Sequence, residues 1–170
     1  MTDMTTAQAL QIIEFLEDYN KHFLGCVSFL NLKQQKVLGD DLVWLHDSLP
    51  EEQRLSMAGA SLENKRLELM KALGFENHTS SQLLEMCPQE AKNRFKSACE
   101  ALENSIDKIK GLNADILEIV EKKLEVAEKL LDNQFKHKAL TGPGFYDRSS
   151  NGGVAKVRMT DPADEIIGKM

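Results

Sequence analysis

Apolar residues recur at three- and four-residue spacings through most of the chain, and this pattern predicts helices rather than strands. The first run opens at Thr6, read as its cap, and carries a heptad seam through Ile13, Leu16, Asn20, Phe23, Val27, Leu30, Gln34 and Val37. Ile12, Tyr19, Leu24 and Leu38 widen that seam, which predicts two neighbouring helices rather than one. Gly25 lies inside the run at a cost of about 1 kcal/mol relative to alanine. It marks either a close helix approach or a soft point, and the reading favours close packing. Gly39-Asp40-Asp41 ends the run and caps a short connecting helix, in which Leu42, Leu45 and Leu49 share a face. Trp44 is a packing residue of that connector.

Ser48-Leu-Pro50-Glu-Glu is a second start signal, with serine as cap, an early proline and acids near the positive end of the helix dipole. The helix it opens runs to about Leu73, with Leu55, Ala58, Leu62 and Leu69 on one side. Leu73-Gly74-Phe75 is its stop, Gly74 taking the left-handed position and Phe75 folding back. Between Thr79 and Cys87 the pattern allows one or two helical turns or an irregular loop. From Pro88 to about Lys138 a heptad pattern runs without interruption, about 75 Å if fully helical. At 100° per residue, Phe95, Leu102, Ile106, Ile109, Ile116, Val120, Leu124, Ala127 and Leu131 form a narrow seam. Before Gly111 the edge of that seam holds Arg94, Ser105 and Lys108. After it the same edge holds Leu112, Ile119, Val126 and Leu130, so the apolar arc widens toward half the circumference. Either another helix of the same bundle covers the wide arc, or the arc waits for a partner helix. In the second case Leu112, Ile119, Val126 and Leu130 are the binding residues. Asn20 and Asn113 sit in seam positions, where a polar side chain fixes register.

These elements give an all-α fold: an elongated antiparallel bundle or coiled coil of about three long helices over residues 1–141. A flexible glycine-rich tail over 142–170 follows the break at Gly142-Pro143-Gly144. The small aromatic share, 6%, suits thin helical packing better than a thick core. A formal charge of -6 with interspersed signs argues against binding a nucleic-acid backbone. Cys26, Cys87 and Cys99 form no even framework and no CxxC pair, which fits free thiols in the cytoplasm and implies no metal. No run reaches the roughly 18–20 apolar residues that span a bilayer, so membrane insertion is not expected. No phosphate cradle, HExxH or GxSxG is present, and the carboxylates lie beside lysines on solvated faces, so neither enzyme activity nor a cofactor is expected.

Four elements in order carry a family resemblance: Leu32-Lys-Gln-Gln-Lys-Val-Leu38 with Asp41, Leu42 and Leu45; Leu62-Glu-Asn-Lys-Arg66 with Leu69, Met70, Leu73 and Gly74; Asn113-Ala-Asp-Ile116; and Phe145-Tyr146-Asp147 in the tail. With Asn151-Gly-Gly153 they span nearly the whole chain, which resembles the FlgN-type flagellar export chaperones. The ending Val154 to Met170, with its Ile166-Ile167 pair, departs from that pattern. The resemblance implies a non-enzymatic cytosolic chaperone that binds the C-terminal helical regions of hook-associated proteins, prevents their premature assembly and delivers them to the type III export gate, with the export ATPase complex as a further partner. It also places Phe145 and Tyr146 as gate-docking residues, although both rings would fold back near Leu140 just as readily. A virulence secretion chaperone shares this mechanism and differs in its client. The competing class is a structural or scaffolding coiled coil that associates with itself through the same seam.

Overall fold

The computed structural model of the chain describes residues 3–141, and side chains through residue 138. The described residues form helices joined by turns, with no strand among them: α1 (Thr6–Leu38), α2 (Leu42–Asp47), α3 (Leu49–Ala72), α4 (Ser80–Met86) and α5 (Gln89–Thr141). The chain divides into two compact units, Met1–Lys129 and Leu130–Met170. The expected tail at 142–170, with Phe145 and Tyr146, lies outside the described residues.

Helix ends follow local chemistry. Thr5, one residue before the expected cap, closes a capping box with Gln8, and Thr79 does the same with Gln82 to start α4. Ser48 precedes α3 as expected but makes no side-chain cap; its hydroxyl donates instead to the Leu45 carbonyl at 3.0 Å. At the end of α3, Gly74 stands at φ 80°, the Phe75 amide donates to the Met70 carbonyl at 2.8 Å and the Gly74 amide to Lys71 at 3.1 Å. That pairing satisfies two orphan carbonyls and turns Phe75 into the core. The same closure ends α1, but there the left-handed residue is Asp40, at φ 56°, rather than Gly39. The Asp41 amide reaches the Lys36 carbonyl at 3.0 Å, and the Asp41 side chain then caps α2 by accepting from the Trp44 amide. Trp44 is half-buried, 5.9 Å from the Phe29 ring with the Lys36 ammonium over its face.

Cross-helix contacts set directions in the first unit. Between α1 and α3, Tyr19 meets Glu63, His22 meets Gly59 and Lys33 meets Glu52, so numbers rise on one helix as they fall on the other. Between α1 and α5, Thr6 meets Glu90, Glu17 meets Arg94, Asn20 meets Ser105, Gln34 meets Asp115 and Asp40 meets Lys123, so both rise together. The three long helices therefore run up, down and up. The expected antiparallel packing holds between α1 and α3, whereas α1 and α5 pack in parallel, contrary to the expectation of an antiparallel bundle throughout.

Two apolar clusters hold this arrangement. Ala9, Ile12 and Ile13 of α1 pack with Met70, Phe75, Leu83, Cys87, Ala91, Phe95 and Ala98. Farther along α1, Leu30 and Val37 pack with Ile116. Between the clusters, buried Ser105 donates to Asn20 Oδ1 at 2.6 Å, a polar tie that fixes register as the seam position of Asn20 suggested. Asn113, the other seam asparagine, is exposed.

Gly25 is not a close approach. A Cβ built there meets nothing within 4 Å, whereas at Gly59 it would lie 3.2 Å from His22 Nε2, so the glycine that α1 packs against is Gly59 of α3. Two opposite outcomes follow for urea unfolding. Gly25→Ala should raise stability by about 0.5–1 kcal/mol through backbone entropy. Gly74→Ala should lower it by about 1–2 kcal/mol, because a Cβ is strained at that left-handed position.

Candidate functional site

The end of α1 determines what α5 leaves uncovered. A 33-residue helix that starts level with Gln89 reaches only to about residue 121 of its parallel partner. Lys123 marks the limit. Its ammonium donates to the Leu38 carbonyl at 3.1 Å and pairs with Asp40, neutralising the negative end of the α1 dipole.

Of the four residues expected to bind a partner, the structure separates two from two. Leu112 and Ile119 are half-buried and pack with Ile109 and Val120 against Leu30, Val37 and Ile116. For them, another helix covers the wide arc. Val126 in the first unit and Leu130 in the second are 58% and 60% exposed. Leu124 and Leu131, which the heptad pattern assigned to the packing seam, are 58% and 54% exposed, and Phe135 is 70% exposed. The seam assignment therefore fails beyond Val120, because α1 has ended. Every described side chain from Leu124 to Lys138 is exposed.

Elsewhere on α5, Lys122 and Lys129 pair with Glu118 and Glu125 four residues earlier. The Lys122 ammonium holds the Glu118 carboxyl below its usual range. Exposed pairs of this kind define a solvent side and add little stability. α5 thus presents a charged face and, past Lys123, exposed large apolar side chains: Leu124 and Val126 in the first unit, and Leu130, Leu131 and Phe135 in the second. Exposed apolar side chains on an amphipathic helix are what a partner helix covers.

Reactive chemistry is not favoured at the side chains that might carry it. The thiols of Cys26, Cys87 and Cys99 are all pushed above the ordinary cysteine value, first of all by burial, which disfavours the nucleophilic thiolate. Among the described residues no cluster of His, Cys, Asp and Glu is arranged to hold a metal ion. No described helix is long and apolar enough to cross a membrane.

Leu124, Leu131 and Phe135 were the members of the exposed row that the periodicity did not mark as a binding face. Helix length was the available signal: with α1 ending before Gly39 and α5 opening after Pro88, equal spans leave the last turns of α5 without a partner in α1.

The FlgN protein family model matches residues 4–151. No curated protein and no solved structure matches the chain.

Proposed function

We propose, from the premise that the chain belongs to the FlgN family of flagellar export chaperones, that it holds hook-associated proteins by their C-terminal helical regions and carries them to the type III export gate. The family is one of chaperones, not of enzymes. The observation that carries the reading is the exposure of every described large apolar side chain late in α5, Leu124 and Val126 in the first unit and Leu130, Leu131 and Phe135 in the second. Subunits that assemble through apolar helical termini expose those termini before assembly. A chaperone helix with a matching strip covers them and keeps them from joining early. Val126 and Leu130 are proposed client contacts, while Leu112 and Ile119 support the helix from within the bundle. The setting is the cytoplasm, where clients are made, and the gate and the export ATPase complex are the downstream partners.

Residues 142–170 are proposed as a tether, with Phe145 and Tyr146 as its gate-docking anchor, since an aromatic ring supplies a large contact area with few rotors to freeze. In a pull-down with purified components, the full chain should retain a hook-associated protein and suppress its polymerisation. Tyr146→Ala should keep that retention while reducing capture by the gate's cytoplasmic domain. Gate capture unaffected by the substitution would leave the tail as a spacer, and failure to retain any hook-associated protein would remove the client assignment itself.

Self-association is the second reading, because the same exposed leucines, Leu124 and Leu131, stand seven residues apart as in a coiled-coil seam. Light scattering separates the two: a chaperone alone leaves the row open, whereas a scaffold buries it in a homo-oligomer.

A further inference from the structure

Within the first unit, α3 and α5 stand apart on one side of α1 and leave a groove with α1 as its floor. Its first part is a cavity of about 350 Å3 lined by Phe15, Tyr19 and Phe23 of α1, Leu69 of α3, and Leu102 and Ile106 of α5. Its second part, about 320 Å3, continues past Phe23 to Phe29 of α1, Leu55 and Gly59 of α3, and Ile109 of α5. Phe23 lines both, and Phe15, Phe23, Phe29, Leu69, Leu102 and Ile106 are only half-buried, so the groove is open to solvent. Bundles of four helices bury such a groove under their fourth member.

The charges on its walls are unequal. Glu63 accepts both guanidinium hydrogen bonds of Arg66, at 2.8 and 2.9 Å, and also the Tyr19 hydroxyl at 3.3 Å. Glu52 is paired with Lys33. Glu103, on the α5 rim, is exposed and forms no ion pair among the described residues. One acidic side chain beside an aromatic floor is thus left uncompensated.

We propose that the groove is the seat of a partner's amphipathic helix, apolar along an i, i+4, i+7, i+11 ridge and carrying a basic side chain opposite Glu103. The spacing supports this occupant. The two cavities are centred about nine to eleven residues apart along the lining helices, roughly 13–17 Å at 1.5 Å per residue, which three turns of an incoming helix span. The absence of a side chain at Gly59 keeps the second cavity open. This site is separate from the exposed row of α5, and the two proposals stand or fall independently.

The test uses the full chain and two fluorescent synthetic peptides of equal composition: one with leucine at i, i+4, i+7 and i+11 and lysine on its flanks, the other with those leucines scattered around the helix. Fluorescence anisotropy should show the first peptide binding at least tenfold more tightly. Ser56→Trp with Ser80→Trp, two exposed rim positions that fill the cavities, should reduce its affinity at least tenfold with helicity unchanged. Should that pair disturb folding, Glu103→Lys alone should weaken binding about two- to fivefold, with the difference shrinking in high salt. Val126→Ser with Leu130→Ser should leave it intact. Equal binding of both peptides, binding indifferent to the rim variants, or binding lost only with the α5 variants overturns the proposal. No binding, as when the chain's own residues 142–170 fill the groove, overturns it too, as does a homodimer that Ser56→Trp with Ser80→Trp dissociates.

Discussion

Replacing Val126 and Leu130 together with serine is expected to weaken retention of a hook-associated client about thirty- to a hundredfold, with helicity and thermal midpoint nearly unchanged. Fully burying one such side chain contributes about 1.5–3 kcal/mol. These two already hide some two-fifths of their surface, so a client covering the rest contributes roughly 1–1.5 kcal/mol at each, and every 1.4 kcal/mol is tenfold in affinity. The fold has little at stake, because serine in a helix costs only a few tenths of a kcal/mol more than valine or leucine. Leu112→Ser and Ile119→Ser should behave oppositely. Both side chains pack against Leu30, Val37 and Ile116, so their loss should lower stability by about 2 kcal/mol or more before affinity changes. Calorimetric titration beside circular dichroism separates the pairs. A fall in midpoint for Val126→Ser with Leu130→Ser, at constant affinity, would show that the chain itself covers this face and would end its assignment to clients.

The largest effect on stability is expected at Phe95. Its ring is 1% exposed and belongs to the cluster in which α1, α3, α4 and α5 meet. Phe95→Ala should cost about 3–5 kcal/mol, a large share of the roughly 5–15 kcal/mol that holds a domain folded. Ile13→Ala, at the other fully buried large side chain, should cost about 2–5 kcal/mol. Guanidinium unfolding followed by circular dichroism measures both. A cost below about 1 kcal/mol at Phe95 would mean that the start of α5 is not anchored where the cluster places it.

Helix identities and most helix ends were legible because capping is local. Gly74 and Phe75 act through residues within one turn, and Asp41 caps α2 from its own neighbourhood. The Asn20 tie was also legible, since a polar residue within an apolar seam needs a partner. What a seam cannot reveal is whether anything lies opposite it. Leu124 and Leu131 fall within the same arc of α5 as Ile109 and Ile116, yet one pair is covered and the other is exposed. That difference is set by the length of α1, a property of another part of the chain. Gly25 and Gly59 teach the same lesson. Both are mid-helix glycines, and only the helix across from them decides which one marks a close approach. Of the candidate site, the broad apolar arc was readable from the helical periodicity; its division between Leu112 and Ile119 on one side and Val126 and Leu130 on the other was not.

The parallel pairing of α1 with α5 also fixes an order of events during synthesis. Lys33 and Glu52 are 19 residues apart and Tyr19 and Glu63 are 44 apart, whereas Asn20 and Ser105 are separated by 85. Closing the shorter loops costs less chain entropy, and chains leave the ribosome N-terminus first. The α1–α3 hairpin therefore forms while α5 is still being made, and one side of α1 stays bare until its parallel partner arrives. The part of α5 that completes both clusters, up to Val120, is translated before Leu124. A ribosome that stalls between these points releases a chain with its packing complete and no client face.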